Sequence, residues 1–178
     1  MKETPLFGPM LREARKRCGM PIWRVAATAP HHQGNLQRIE RGITEPRVGL
    51  ALRLLMAIGV DTGSFMENLA IKAGWRQHPG ESHPPRADAN AVVVRIADSK
   101  EDVIPFGPLL RRTRLVYGQS QKHLAEQAGY TVRNLINVEN GRQEPGIMTA
   151  LKLVCTTGCD VASFFNELAV RYTQGNAK

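Results

Sequence analysis

Cysteine and histidine are the residues of this sequence whose spacing most directly tests for metal or redox chemistry. The chain of 178 residues has three cysteines, Cys18, Cys155 and Cys159, too few and too odd in number for a disulfide framework. Cys155 and Cys159 lie four positions apart, but no second Cys or His pair stands at a zinc-like spacing. His31 and His32 are adjacent and lack a third ligand. We therefore expect free thiols, no metal site and no cofactor.

Patterns typical of catalysis are absent from the sequence as well. It has no Ser/His/Asp set, no paired carboxylates and no phosphate-cradling glycine loop, so we do not expect an enzyme. Lys and Arg number 24 against 16 Asp and Glu, and the resulting charge of +8 favours an anionic partner such as nucleic acid. No secretory signal and no apolar run of about 18 residues occurs, which predicts a cytoplasmic protein without a membrane span.

The elements that carry these residues belong to an internal duplication. Residues 7–72 align with residues 106–171 at an offset of 99 without a gap, and 24 of the 66 positions are identical. The phrase Glu-x-Gly-x-x-Glu-Pro occurs in both copies, beginning at Glu40 and at Glu139. Two copies of one compact unit follow from this pattern.

Two copies are too few for a solenoid and predict two domains instead. We expect a first domain over residues 1–73, a linker over residues 74–104 and a second domain over residues 105–178. The linker begins GWRQHPGESHPPRADAN, which is typical of an exposed segment. Residues 91–98, AVVVRIAD, have the length and composition of a short β-strand. Either this strand packs along one repeat or it pairs with a second chain to form a homodimer.

Each copy is predicted to fold as five short helices, which makes the fold all-α apart from the linker strand. In the second copy, Ser120 is a suitable N-cap for a helix over residues 121–128. Gly129 then permits a sharp left-handed turn, and Thr131 caps the next helix. These two helices are predicted to form a helix-turn-helix arrangement.

The third and fifth helices are predicted from apolar spacing and from further caps. The third helix runs to about Asn140 and directs Leu135 and Val138 inward. Ser163 is predicted to open the fifth helix, and its counterpart Ser64 stands at a capping-box spacing in the first copy.

Residues 120–145, SQKHLAEQAGYTVRNLINVENGRQEP, resemble the helix-turn-helix of phage Cro and repressor proteins and their bacterial relatives, the XRE family. The resemblance covers each whole repeat and is carried by Ser-Gln, Leu-Ala, Gly, Glu-Asn-Gly and Pro. It implies two DNA-binding domains, and it implies an ion pair between the first helix and the end of the third. Arg15 with Glu40, and Arg114 with Glu139, stand at the same offset in both copies, which indicates that this pair is retained.

The resemblance places the third helix of the second repeat in the major groove of double-stranded DNA. Because its two inward residues are committed to the core, four residues face outward: Val132, Arg133, Ile136 and Asn137. Arg133 is the best candidate for reading sequence, since arginine binds O6 and N7 of guanine bidentately. By resemblance, phosphate contacts fall to Gln121, Thr131, Asn140 and Arg142.

The first repeat departs from the family pattern at the proposed DNA face. Arg133 corresponds to Gly34, Gln121 to Ile22, and the turn glycine to Pro30. Gly34 has no side chain with which to read a base. Five polar residues nearby are candidates for DNA contact: His32, Gln33, Gln37, Arg38 and Arg41. The first repeat therefore either binds DNA with another preference or has become a protein-contact domain.

Together these features favour a sequence-specific DNA-binding transcriptional regulator, and the family suggests a repressor of a phage or mobile element. The alternative is an antitoxin or adaptor whose first repeat and strand bind a protein, with DNA binding secondary. A flexible linker of 31 residues spans roughly 30 Å. Half-sites on one face of DNA lie about 34 Å apart, so one chain has the reach to imitate a dimer.

Overall fold

The computed structural model describes residues 6–29, 32–76 and 106–175. Within these ranges the chain forms ten α-helices and no β-strand, which confirms the all-α prediction for this part of the chain. The predicted strand over residues 91–98 lies outside the described residues, as do Pro30 and His31.

The ten helices divide into five before and five after the long gap in the described residues. The N-terminal half, residues 6–76, contains α1 (Phe7–Arg17), α2 (Ile22–Thr28), α3 (Gln33–Glu40), α4 (Val48–Ile58) and α5 (Thr62–Lys72). The C-terminal half, residues 106–175, contains α6 (Phe106–Val116), α7 (Gln121–Ala128), α8 (Val132–Glu139), α9 (Ile147–Thr157) and α10 (Val161–Gly175).

The turn between α7 and α8 forms through the local signals that the sequence contains. The Ser120 hydroxyl accepts a hydrogen bond from the backbone N–H of His123 at 3.1 Å, which satisfies one free donor of the first turn of α7. Gly129 ends α7 with a φ of +65°, a left-handed conformation that glycine adopts without steric cost. Thr131 then caps α8 by accepting from the N–H of Asn134 at 3.2 Å.

The fifth helix of each half begins earlier than predicted. Asp61 caps α5 by accepting from the N–H of Ser64 at 2.7 Å, and Asp160 accepts from the N–H of Ser163 at 2.6 Å before α10. Ser64 and Ser163 therefore lie inside the first turn and are not the caps. Aspartate is at least as good an N-cap as serine, and its ionised carboxylate also favours the positive end of the helix.

Close packing of the first helix on the third explains the Phe-Gly-Pro phrase that both copies share. Helix α1 packs on α3, and α6 packs on α8. A Cβ atom at Gly8 would lie 1.9 Å from the carbonyl oxygen of Ile39, and one at Gly107 would lie 2.0 Å from that of Val138. Only glycine lets the backbones approach this closely.

The two halves contact each other directly. Helices α5 and α10 form the most extensive contact between any two helices that the structure describes. Trp75 and Arg76, which follow α5, also approach the C-terminal half: Arg76 is buried, and its Nη2 donates to the carbonyl oxygen of Cys159. Gly74, the first residue of the predicted linker, is exposed, whereas Trp75 is half-buried and Arg76 is buried, contrary to the prediction of an exposed segment. Direct packing, rather than linker length, sets the separation of the halves.

Helices α4 and α9 are the most apolar helices and occupy the centre of the core. Leu52, Leu55, Leu151 and Val154 are fully buried there. Among the described residues, no single helix is long and apolar enough to cross a membrane, and only α4 and α5 taken together, bent by 118°, reach that length and composition.

Candidate nucleic-acid interface

A buried ion pair holds α8 in the C-terminal half. Arg114 donates from Nε to Oε1 of Glu139 at 2.6 Å and from Nη2 to Oε2 at 3.0 Å, a bidentate geometry. Nη1 of Arg114 donates to the carbonyl oxygen of Gln119 at 2.7 Å, just before α7. The Arg114 guanidinium therefore connects α6, the start of α7 and the end of α8.

The N-terminal half contains the same ion pair in nearly the same geometry. Arg15 donates to the two carboxylate oxygens of Glu40 at 2.6 and 2.9 Å, and its Nη1 donates to the carbonyl oxygen of Met20 at 2.8 Å. The hydrogen bond to Glu40 raises the pKa of Arg15. Both pairs expected from the sequence are thus present. Each holds the third helix of its half, α3 or α8, against the rest of that half.

Helix α8 places one side in the core and the other in solvent. Leu135 and Val138 are buried, while Val132 and Arg133 are exposed in the first turn. No hydrogen bond or ion pair to another described residue holds the Arg133 guanidinium, so it is free to meet a ligand. The other two residues expected to face outward, Ile136 and Asn137, are half-buried.

The residues expected to hold phosphates differ in how freely they can do so. Asn140 and Arg142 follow α8 and are exposed. Thr131 is exposed, but its hydroxyl caps α8. Gln121 is half-buried, and its Nε2 donates to Oε2 of Glu139 at 2.8 Å, so this side chain extends the buried ion-pair network. We call these four residues, together with Val132, Arg133, Ile136 and Asn137, the C-terminal face.

The equivalent surface of the N-terminal half, the N-terminal face, is exposed but chemically different. Its predicted contact residues His32, Gln33, Gln37, Arg38 and Arg41 are all exposed. His32 serves as the N-cap of α3, since its Nδ1 accepts from the N–H of Gly34 at 3.2 Å. Arg38 donates to the Thr44 hydroxyl at 3.4 Å, so one cation of this face is partly engaged.

Two large exposed apolar side chains of the N-terminal half were missed by sequence reasoning. Trp23 is 62% exposed and Ile43 is 60% exposed. At the offset of 99 they correspond to Lys122 and Arg142, two cations of the C-terminal half. Comparing the copies position by position would have found this exchange of charge for apolar surface.

Both glutamates and the glycine of the repeated Glu-x-Gly-x-x-Glu-Pro phrase have structural roles. Its first glutamate forms the ion pair, and its glycine, Gly42 or Gly141, adopts a φ of +71° or +67° that ends the helix. The second glutamate reaches the other half: Glu144 accepts from the N–H of Gly49 at 2.6 Å, and Glu45 accepts from that of Met148 at 2.9 Å.

The cysteines of the C-terminal half occupy positions that are apolar in the N-terminal half. Cys155 and Cys159 correspond to Met56 and Val60, and all three cysteines of the chain are free thiols. Burial raises the pKa of Cys159 to about 11 and also raises the pKa of Cys155. A raised pKa leaves little thiolate at neutral pH, so both thiols are poor nucleophiles.

Comparison with known proteins gives no independent assignment of this site. No protein-family model, no curated protein and no solved structure matches the chain.

Proposed function

We propose that this protein is a sequence-specific DNA-binding transcriptional regulator, a repressor of the kind that phages and mobile elements use. In this proposal each half is a helix-turn-helix domain, and α8 is the recognition helix. The resemblance of residues 120–145 to the XRE family supports it, as does the surplus of basic residues. Promoter occupation would be the mechanism of repression.

One observation carries the proposal, namely that no described residue pairs with the guanidinium of Arg133. It lies at the second residue of α8, which is capped by Thr131, and the opposite side of the helix is buried. The bidentate ion pair of Arg114 with Glu139 holds the end of the same helix. A rigid helix that presents an unpaired arginine from its first turn suits bidentate contact with guanine in the major groove.

The test compares Arg133→Ala with Arg142→Ala on a duplex selected from random sequence. Arg133→Ala should lose about 1–3 kcal/mol of preference at one base pair. Arg142→Ala should weaken binding to selected and random duplexes about equally and lower the salt slope by about 1. Arg142 is the better comparator than Gln121, because replacing Gln121 would also remove a hydrogen bond to Glu139.

Two outcomes would contradict the proposal. Equal loss on selected and random duplexes for Arg133→Ala would remove its reading role, and the absence of salt-dependent DNA binding by the unaltered protein would remove the function itself. Both arginines are exposed, so thermal unfolding of the two variants should match that of the unaltered protein and serve as a control.

A second candidate function, an antitoxin or adaptor, is favoured by the exposed Trp23 and Ile43. Tryptophan is prominent among the residues that dominate protein interfaces, and Trp23 is 62% exposed. Replacing both by alanine should abolish partner capture and leave DNA affinity unchanged if this function holds. Point variants suit this question better than truncation, because removing α5 would uncover the α10 surface against which it packs.

A further inference from the structure

The contacts between the two halves are reciprocal. The N–H of Val48 donates to the carbonyl oxygen of Pro145 at 3.2 Å, and the N–H of Ile147 donates to that of Pro46 at 2.9 Å. Val48 and Ile147 are equivalent at the offset of 99, and so are Pro46 and Pro145. Glu45 and Glu144 exchange their contacts in the same way. Each contact from the N-terminal to the C-terminal half thus recurs between the equivalent residues with the halves exchanged. This reciprocity is the signature of a twofold relation.

Equivalent residues also meet each other directly, which places them at the twofold axis. Arg47 and Gly146, separated by 99 positions, form an antiparallel bridge. Helices α5 and α10 also meet at another equivalent pair, since a Cβ added to Gly63 would lie 2.5 Å from the carbonyl oxygen of Ala162. A translation or screw relation between the halves would not bring equivalent residues together.

The loops that meet at this axis are the segments that directly follow α3 and α8. Helix α3 ends at Glu40 and the cross-contacts begin at Glu45, while α8 ends at Glu139 and its contacts begin at Glu144. The two helices therefore flank the axis and are related by it. Two-fold related recognition helices call for half-sites related by the same symmetry, as in operators bound by dimers.

The contacts are specialised for two different halves. Gly49 leaves space that the Tyr172 ring fills, since a Cβ there would lie 2.8 Å from Tyr172 Cε1, and the Tyr172 hydroxyl donates to Glu144 at 3.0 Å. On the other side of the axis the equivalent residues are Met148 and Ala73, so the large and small side chains are exchanged. Because the large side chain of one half meets the small side chain of the other, an N-terminal half packs better against a C-terminal half than against a second N-terminal half.

We infer that a single chain fills a duplex site made of two inverted half-sites and reads them unequally, a conclusion that rests on the proposed DNA-binding function. The half-site under the C-terminal face is specified strongly, through Arg133. The half-site under the N-terminal face is held mainly by contacts to the phosphates and sugars of the DNA, because Gly34 stands at the reading position. The DNA partner is thus an imperfect inverted repeat.

The test selects the full chain against a pool of random-sequence duplexes and then measures binding to synthetic duplexes. The selected half-sites are placed in inverted or direct orientation at a series of spacings near one helical turn. The inverted arrangement should bind at least about tenfold more tightly than the direct one, because both halves then engage together. Native mass spectrometry should find one chain per duplex, and selection with Arg133→Ala should lose sequence preference in one half-site only.

Different failures separate the inference from the function beneath it. Selection of a direct repeat, of a single half-site, or of two chains per duplex would overturn the inference while leaving a DNA-binding protein. Loss of preference in both half-sites with Arg133→Ala would also overturn it, since two C-terminal faces would then be in use. A pool without enrichment, and without salt-dependent binding, would count against the proposed function instead.

Discussion

The two halves share their buried framework and differ at their outward faces. Both contain the bidentate arginine–glutamate pair, the glycine that admits the first helix to the third, and a T-shaped phenylalanine pair between the first and fifth helices. At the faces, Arg133 is matched by Gly34 and Arg142 by Ile43. Buried positions are constrained because a change there disturbs close packing or leaves a buried charge without its partner. Exposed positions tolerate change at little cost in stability. The framework therefore indicates common origin, and the faces are where the two copies have diverged.

The first prediction concerns the two ion pairs and carries the greatest effect. Glu139→Gln should reduce the free energy of unfolding by about 3–5 kcal/mol, because it leaves the Arg114 charge buried without its partner. Glu40→Gln should cost less, because the Arg15 side chain is 11% exposed and that of Arg114 only 6%. Glu40 also has no counterpart of the hydrogen bond from Gln121, since Ile22 stands at that position. Urea unfolding measures both changes.

Glu126→Gln supplies the control, because its pairing with Lys122 at 3.9 Å is exposed and should contribute less than about 1 kcal/mol. Equal losses for Glu40→Gln and Glu139→Gln would mean that the hydrogen bond from Gln121 adds nothing to the pair.

A second prediction concerns the glycines of the framework. Gly8→Ala and Gly107→Ala should each destabilise the protein by about 1–3 kcal/mol, since the added Cβ would meet a backbone carbonyl oxygen at 1.9 or 2.0 Å. Thermal unfolding would record the loss. If alanine were tolerated in one half alone, the α1–α3 and α6–α8 contacts would not be equally close, contrary to the nearly equal distances above.

A third prediction rests on the proposed DNA binding and gives the N-terminal face the arginine that the C-terminal face has. Gly34→Arg should create a new base preference of about 1–3 kcal/mol in the half-site under the N-terminal face. The nearest neighbour of an added Cβ is Nδ1 of His32 at 3.3 Å, so the capping ring must shift by a few tenths of an ångström. Gly34→Ala is the matched control, expected to strengthen α3 by up to about 1 kcal/mol without a new preference. Identical sequence selection by the two variants would argue against a reading role for this position.

The smallest predicted effect concerns the cap of α5. Asp61→Ala should cost about 1 kcal/mol, the usual contribution of an N-cap. Hydrogen bonds from Ser64 lower the pKa of Asp61 below its ordinary value of 3.8. A lowered folded-state pKa means that the carboxylate stabilises the fold above its unfolded-state pKa, and that this contribution is lost as the pH falls through the folded value.

Asp61→Asn keeps an acceptor oxygen at the cap and removes the titration. Unfolding followed between pH 6 and pH 2 should therefore show a slightly weaker acid dependence for Asp61→Asn than for the unaltered protein. Indistinguishable curves would leave Asp61 as a cap whose charge has no effect.

Local chemistry and the repeat were sufficient to determine most of each half. The offset of 99 identified the duplication, Ser120, Gly129 and Thr131 marked the α7–α8 turn, and the paired offsets of arginine and glutamate indicated the ion pairs. These signals act over a few residues or are repeated intact, so they can be read without a structure. The fifth-helix caps were misplaced because Asp and Ser three positions apart are both good caps, and only the helix start distinguishes them.

Only the tertiary structure decided how the halves are placed and which polar groups remain free. The linker composition predicted that a flexible tether joins the two halves. In the structure their relative placement is set by contacts, since α5 packs on α10 and the loops after α3 and α8 exchange hydrogen bonds across a twofold axis. In the structure Gln121 donates to Glu139, whereas Arg133 has no partner among the described residues. Contacts between residues about 100 positions apart depend on how the two halves fit together, and helical periodicity within either half does not contain that information.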